Sequence, residues 1–274
     1  NASDIAKWLG AKLVYSEYRP VELKKGVFYP DDNNFVIDFL DGNERKLPKT
    51  GVDSEVALSA DTLARGKQAL IFVGTRRSAE AAAEKIAQQV GKLLGAEEKI
   101  ALSKLSDEIE GVLSVPTKQC KRLASVLKNG AAFHHAGLVA AQRKLIEEGF
   151  KSGFVKFITS TPTLAFGVNL PAYRVIIRDA KRFDSGSYGS YYIPNFEVQQ
   201  MMGRAGRPKY DSKGEAIIIA KNGRDAADLK DRYLLGELEP IYSKLSVEST
   251  LRMHVLALVA SETGTTRAYG LSSA

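Results

Sequence analysis

Short apolar runs alternate with amphipathic segments through the middle of the chain. Runs rich in apolar and β-branched residues predict strands at 70–73, 131–133, 154–159, 173–177 and 215–220. Segments rich in Ala, Glu, Lys and Gln predict intervening helices at 78–94, 140–150 and 196–205. Because strands and helices alternate at this spacing, the pattern predicts an α/β fold with a doubly wound parallel sheet and flanking helices.

The two ends of the chain follow other patterns. Residues 4–9 predict a helix and residues 12–16 a strand. The runs 21–29 and 34–40 flank the turn Pro30-Asp31-Asp32-Asn33, which predicts a hairpin. The remaining predicted helical segments are 97–128 with a break near Pro116, 225–234, and 247–259. The last of these predicts a truncated helical segment, so we expect the chain to be a fragment.

Composition adds a basic charge to this picture. The 274 residues include 39 Lys and Arg against 32 Asp and Glu, which gives a formal charge of +7. An excess of this size favours an anionic partner such as nucleic acid or a nucleotide. The longest apolar runs stop far short of the ~20 residues of a spanning helix, so no membrane partner is expected. The one cysteine, Cys120, fits a cytoplasmic location, although a secreted protein without disulfides would have the same composition.

The strongest candidate site is the segment Gln200-Met201-Met202-Gly203-Arg204-Ala205-Gly206-Arg207-Pro208. In a helix with 3.6 residues per turn, Gln200, Arg204 and Arg207 share one face. Guanidinium groups match phosphate oxygens and stay charged at any working pH. Two glycines within a helix cost roughly 1 kcal/mol each, which favours close approach of a backbone or ligand over a solvated basic face.

Two further segments follow predicted strands. At 158–171, hydroxyl groups and backbone N–H groups can hold nucleic-acid phosphates without reading sequence, although an ordinary Ser/Thr turn has the same composition. At 72–80, a strand opens into a helix whose first turn exposes N–H donors beside Arg76 and Arg77. This predicts an anion site, with a plain capped helix as the alternative. The adjacent His134 and His135 point to opposite sides and have no third ligand nearby, so we expect no metal.

Aromatic side chains concentrate between 178 and 195. Glycines at Asp184-Ser185-Gly186-Ser187-Tyr188-Gly189 predict a long hairpin turn. Aromatic faces stack on bases at ~1–3 kcal/mol each, comparable to a base-pair step. The alternative is a surface loop whose aromatic side chains pack on the core. The four aromatic residues are Phe183, Tyr188, Tyr191 and Tyr192.

Together and in this order, the segments resemble helicase motifs IV, IVa, V and VI of superfamily 2. The residues within these motifs are similar to those of the archaeal Ski-type DNA helicases of the Hjm (Holliday-junction migration) family. The resemblance implies the second RecA-like domain of an ATP-dependent 3′→5′ DNA helicase that acts on forked or branched DNA. It implies three parts: the tail of the first RecA-like domain at 1–18, the second RecA-like domain at 19–222, and a linker with the start of a winged-helix domain at 223–274.

The resemblance also implies roles for individual residues. Arg204 and Arg207 would stabilise charge on the γ-phosphate of ATP, and Gln200, Gly167 and Asn169 would complete the nucleotide side. The residues implied to track the DNA backbone are Thr75, Arg76, Gly137, Thr161 and Thr163. The residues implied to form a strand-separating hairpin are Phe183, Tyr188, Tyr191 and Tyr192.

Half of an ATPase site is missing from the sequence. No Gly-x-x-x-x-Gly-Lys-Ser/Thr segment occurs, since Gly66-Lys67 is followed by Gln68, and no Asp-Glu-x-His segment occurs. ATP and Mg²⁺ would therefore be held mainly by the first RecA-like domain. The expected partners of this chain are that domain and single-stranded and forked DNA. We expect the chain alone not to hydrolyse ATP. A Ski-type RNA helicase domain and a non-catalytic nucleic-acid-binding module remain alternatives.

Overall fold

The computed structural model describes residues 2–16, 18–49, 51–184, 189–208, 210–239 and 247–261. They fall into two compact units. The larger unit spans 16–237, and the smaller contains the described residues among 1–15 and 238–274. In the smaller unit, helix α1 is Ala2–Leu9 and helix α10 is Glu248–Ala260, as the apolar patterns predict. The predicted strand at 12–16 is wrong, because these exposed residues form no regular element.

An eight-stranded sheet forms the centre of the larger unit. Its strands are β1 (Glu22–Pro30), β2 (Asn34–Phe39), β3 (Glu44–Pro48), β4 (Ala69–Phe72), β5 (Ala131–His134), β6 (Phe157–Ser160), β7 (Arg174–Ile177) and β10 (Lys213–Ile219). Their order is β3-β2-β1-β10-β7-β4-β6-β5. The strands from β1 through β10 to β5 pair in parallel, and β1–β2–β3 is an antiparallel meander that includes the predicted hairpin. The predicted α/β class with a mostly parallel sheet is therefore confirmed.

Helices cover the sheet and bury its apolar strands. They are α2 (Ser54–Ala64), α3 (Arg76–Val90), α4 (Ala96–Gly111), α5 (Lys118–Leu127), α6 (Ala140–Lys151), α7 (Thr163–Gly167), α8 (Asn195–Met202) and α9 (Gly223–Leu229). Every residue of β4, β5, β6 and β7 is buried, which explains why these strands read as continuous apolar runs. A π-helical turn, Lys230–Leu235, follows α9 and packs with it against β1. The packed unit thus continues past residue 222, where the predicted second domain ends.

A buried ionic network ties β7 to β10 and α2. The Arg174 side chain is 0% exposed, and its Nε donates to Glu215 on β10 at 2.9 Å. Its terminal nitrogens donate to Asp61 and Thr62 on α2, each at 2.7 Å. Because a buried charge is costly without partners, this network holds the helix and both strands in one arrangement.

Among the described residues, no helix has the length and apolar character that crossing a membrane requires.

Candidate nucleotide and nucleic-acid site

The carboxyl ends of β4, β5 and β6 lie side by side and carry the segments implied to follow a DNA backbone. After β4, Thr75 caps α3 by accepting the Ser78 N–H at 3.0 Å, and it stays exposed with Arg76. After β5, Gly137 is also exposed, and a Cβ there would lie 3.6 Å from Arg76 Nη1. Exposed groups from the ends of β4 and β5, the two strands that flank β6, therefore share one surface, which is where doubly wound sheets bind ligands.

Both histidines of this surface have structural partners. His135 accepts the Gly137 N–H on Nδ1 at 3.2 Å, and its Nε2 lies 3.3 Å from Glu80. Burial is the main cause that lowers the pKa of His135 below its usual value, and Glu80 only partly offsets it. His134 contacts Glu147 at 3.0 Å, and burial lowers its pKa as well. His135 thus holds the turn that presents Gly137.

The segment after β6 brings the implied DNA and nucleotide residues close in sequence and space. Thr161 and Thr163 join their hydroxyls at 2.9 Å at the start of α7. Gly167 and Asn169 are exposed at and just after the end of α7. One short helix therefore separates the two predicted DNA contacts from the two predicted nucleotide contacts.

The segment 200–208 departs from the predicted helix. Helix α8 ends at Met202, and Gly206 has a φ of +91°, a left-handed conformation that glycine adopts without strain. Arg204 and Arg207 therefore do not share a helix face with Gln200, and that part of the sequence argument is wrong. Gln200 is exposed in the last turn of α8.

Arg204 lies against the segment that follows β6. Its Nε donates to the Ala165 carbonyl at 3.1 Å, and its Nη1 lies 3.4 Å from Asn169 Oδ1. The structure thus brings together Arg204 and Asn169, two of the residues implied to face the nucleotide.

Arg207 points to different partners. It donates from Nε to Asp211 at 2.9 Å and from Nη1 to Gln68 Oε1. Neither partner carries a motif signal, and Gln68 is 139 positions away in sequence, so sequence reasoning missed both.

The aromatic segment forms the predicted hairpin, from β8 (Lys181–Asp184) to β9 (Gly189–Tyr192). Tyr191 is 46% exposed. The Tyr192 ring instead packs with the Lys181 ammonium 4.3 Å and the Arg232 guanidinium 4.1 Å from its centre. Tyr192 therefore packs on neighbouring side chains, which is the alternative to a ring that is free to stack on a base. Tyr188 and the Phe183 side chain lie outside the described residues.

The base of the hairpin is fixed from the π-helical turn. The buried Tyr233 hydroxyl contacts the carbonyl of Ala180 at 3.1 Å, just before β8, and that of Ile193 at 2.7 Å, just after β9. Arg182 on β8 pairs with Glu197 on α8. The hairpin is therefore anchored both to the helix that leads into segment 200–208 and to the turn after α9.

Comparison with known proteins gives the same assignment as the motifs. Residues 102–209 match the helicase conserved C-terminal domain family. The chain is 45% identical over 262 residues to the ATP-dependent DNA helicase Hel308 of Methanocella arvoryzae. The aligned region covers 96% of this chain and 34% of that protein. It is 43% identical over 260 residues to the Hel308 protein of Pyrococcus horikoshii, and this alignment covers 95% of the chain and 34% of that protein.

The chain spans about a third of the length of these curated relatives. These matches confirm the resemblance to superfamily 2 helicases that motifs IV to VI indicate. The relatives carry the name Hel308 rather than Hjm. Over almost its whole length the chain is therefore similar to one part of the Hel308-type helicases, and its residues 102–209 match the conserved C-terminal helicase domain.

Proposed function

We propose that the chain is the second motor domain of an ATP-dependent 3′→5′ DNA helicase that acts on forked or branched DNA. The relatives are named ATP-dependent DNA helicases. The observation that carries the proposal is the shared surface at the carboxyl ends of β4, β5 and β6. Its exposed groups come from three strand ends and are hydroxyl, guanidinium and backbone groups, which hold phosphates without reading sequence.

The DNA backbone would run along this surface. The groups proposed to contact it are Thr75, Arg76, Gly137, Thr161 and Thr163. Because such contacts do not distinguish DNA from RNA, the choice of substrate is itself an outcome of the test below.

The nucleotide would be faced from segment 200–208 and the residues after α7. Arg204 Nη1 lies 3.4 Å from Asn169 Oδ1, and exposed Gly167 precedes Asn169 by two residues, which supports their common role on the nucleotide side. Arg207 would act on γ-phosphate charge, and exposed Gln200 would complete the nucleotide side. ATP and Mg²⁺ would be bound mainly by the first RecA-like domain, which this chain does not contain, because the phosphate-binding lysine and metal carboxylate are absent from its sequence.

The hairpin from β8 to β9 would separate the strands of the duplex. Its anchoring at Tyr233 and Glu197 supports a rigid element rather than a free loop. Among the aromatic residues, exposed Tyr191 suits stacking on a base, and Phe183 and Tyr188 are proposed to do the same. Tyr192 would support the base of the hairpin.

The first experiment compares Arg207→Ala with wild type in the full-length helicase. We expect turnover to fall by ~10³–10⁵ with little change in ATP binding, because an arginine that acts on transition-state charge contributes on this scale. The matched control is Arg224→Ala at an exposed position of α9, which should leave both unchanged. Unchanged turnover in Arg207→Ala would contradict the proposal for segment 200–208.

The second experiment deletes residues 185–189 at the hairpin tip in the full-length helicase. We expect DNA-stimulated ATPase activity near the wild-type level and loss of unwinding on a forked DNA substrate. Unwinding that survives the deletion would contradict the role of the hairpin. A matched forked RNA substrate distinguishes a DNA from an RNA helicase, since efficient unwinding of RNA alone would overturn the DNA assignment.

A further inference from the structure

The Arg207 guanidinium is gripped by a buried carboxylate. The Asp211 side chain is 1% exposed. Its Oδ2 accepts from the Arg207 backbone N–H at 3.1 Å and from Nε at 2.9 Å, and its Oδ1 accepts from Nη2 at 3.3 Å. One carboxylate thus fixes both the backbone and the side chain of Arg207.

Gln68 grips the guanidinium from another side. Gln68 is 5% exposed and sits just before β4. Its Nε2 donates to the carbonyls of Phe150 and Val155, both at 2.7 Å. Because these bonds occupy the amide nitrogen, the amide oxygen is held in one direction, and it accepts from Arg207 Nη1. The orientation of Gln68 is therefore set by the fold and not by Arg207.

The charges around Arg207 leave it attractive to an anion. Lys67 Nζ contacts Asp211 Oδ1 at 2.7 Å, so one carboxylate faces two cations. Burial alone would raise the pKa of Asp211, but hydrogen bonds from Arg207 and Lys67 outweigh it and lower that pKa below its usual value. The carboxyl is thus ionised near neutral pH, and the three groups together carry a positive charge.

The grip leaves part of the guanidinium available. A guanidinium has five N–H donors, and within the part of the chain that the structure describes three of them have the partners given above. One N–H on each terminal nitrogen is left, and a phosphate contact can use such N–H groups. The Arg207 side chain is 20% exposed and lines a cavity of about 530 Å³ with Pro171, Pro208 and Tyr210.

We propose that Asp211 and Gln68 are positioning residues for Arg207, which hold its guanidinium with one N–H of each terminal nitrogen presented to a nucleotide phosphate. The inference rests on the proposed function, in which Arg207 acts on γ-phosphate charge. Preorganised donors act without reorganisation at the moment of reaction. Neither positioning residue touches the nucleotide, so each acts only through Arg207.

The test is a double-mutant cycle on ATPase turnover in the full-length helicase. In Asp211→Asn, an amide NH₂ replaces one carboxylate oxygen and faces N–H donors, so the grip opens on one side. We expect kcat to fall about 10²-fold with KM for ATP changed less, because misplacement of about 1 Å has effects of this size. In the Arg207→Ala background, Asp211→Asn should cause no further fall. Asp211→Glu, which keeps the charge, should recover part of kcat.

Two controls separate positioning from general damage to the fold. Asp228→Asn alters an exposed carboxylate on α9 and should leave kcat unchanged. Urea unfolding of the four cycle proteins should show coupling between positions 207 and 211 in stability, which reports the grip without any reference to activity.

Each outcome decides the inference. An unchanged kcat in Asp211→Asn, or an equal fall with and without Arg207, overturns the positioning role while leaving Arg207 as a catalytic residue. An unchanged kcat in Arg207→Ala overturns the proposed function, and the positioning role falls with it. Absence of coupling in the unfolding experiment contradicts the grip itself.

Discussion

Removing Arg174 should destabilise the larger unit more than any single exposed ion pair does. We propose Arg174→Met, which keeps the unbranched stem and removes the guanidinium. The change leaves Glu215 and Asp61 buried or partly buried without their shared partner, and the Leu58 carbonyl and Thr62 hydroxyl lose a donor. The expected loss of stability is the free-energy cost of burying these groups without their partner, and not the stabilisation that the ion pair itself provides.

The magnitude follows from what remains. Breaking a buried pair by removing one partner costs ~3–5 kcal/mol. Glu215 keeps Arg45 at 2.8 Å and the Tyr173 hydroxyl at 3.1 Å, and Asp61 keeps Arg65 at 3.0 Å. Because both carboxylates retain cationic partners, we expect the lower end, about 3 kcal/mol.

The assay is equilibrium urea unfolding of the chain followed by circular dichroism. The matched control is Lys144→Met, which removes a cation whose side chain is 76% exposed and 3.9 Å from Glu148. That change should alter stability by no more than about 0.5 kcal/mol. If Arg174→Met lowers the free energy of unfolding by less than about 1 kcal/mol, the network does not hold β7, β10 and α2 together in the way described.

Four further results are expected. Arg174 and Arg45 outweigh burial and lower the pKa of Glu215, so its contribution to stability is present above the unfolded pKa of about 4.3 and is lost as pH falls through the folded value; acid titration of unfolding should show a shallower loss in Arg174→Met. Gly214→Ala should destabilise by ~1–3 kcal/mol in urea, because its Cβ would lie 2.6 Å from the Gly206 Cα, whereas Gly111→Ala at an open helix position should be neutral or stabilising. Tyr233→Phe in the full-length helicase should reduce unwinding more than ATPase activity, since the hairpin base loses its hydroxyl contacts; equal losses would make the tyrosine purely structural. The purified chain should show no ATP turnover with or without single-stranded DNA, and steady DNA-stimulated turnover would contradict the expectation drawn from the missing lysine and carboxylate.

The parallel core could be predicted from the sequence because its strands are buried on both faces. Segments such as 70–73 and 131–133 therefore read as unbroken apolar runs, and the helices between them carry a clear 3.6-residue pattern. Strand β3 was missed because Glu44–Pro48 lies at the sheet edge, where charged residues and a proline hide the strand pattern. The false strand at 12–16 has the composition of a strand, but no strand among the described residues pairs with it.

The candidate site was predictable in its motifs and not in its geometry. Motif spacing located Arg204 and Arg207, but a uniform helix was assumed where Gly206 turns the backbone into the left-handed region. The partners that orient Arg207 come from before β4 and from position 211, and only folding brings them together. The contact with Gln68 spans 139 positions and leaves no periodic signal in a single sequence, and the contact with Asp211, four residues on, depends on a loop geometry that no helix pattern predicts.

The position of β10 in the middle of the sheet has a consequence for how the unit is made. β10 pairs with β1 on one side and β7 on the other, yet Lys213 follows its partner Glu22 by about 190 residues. At a synthesis rate of ~5–20 residues per second, β1 emerges roughly 10–40 s before its parallel neighbour exists. During that interval β1 lacks its parallel partner, and β7, once it has been translated, also waits for β10, so each presents an open edge of the kind that pairs with other chains. Of the eight strands of this sheet, the last to be translated is thus the one that closes it, so a chain interrupted before residue 213 would be prone to aggregate rather than to form a smaller working unit.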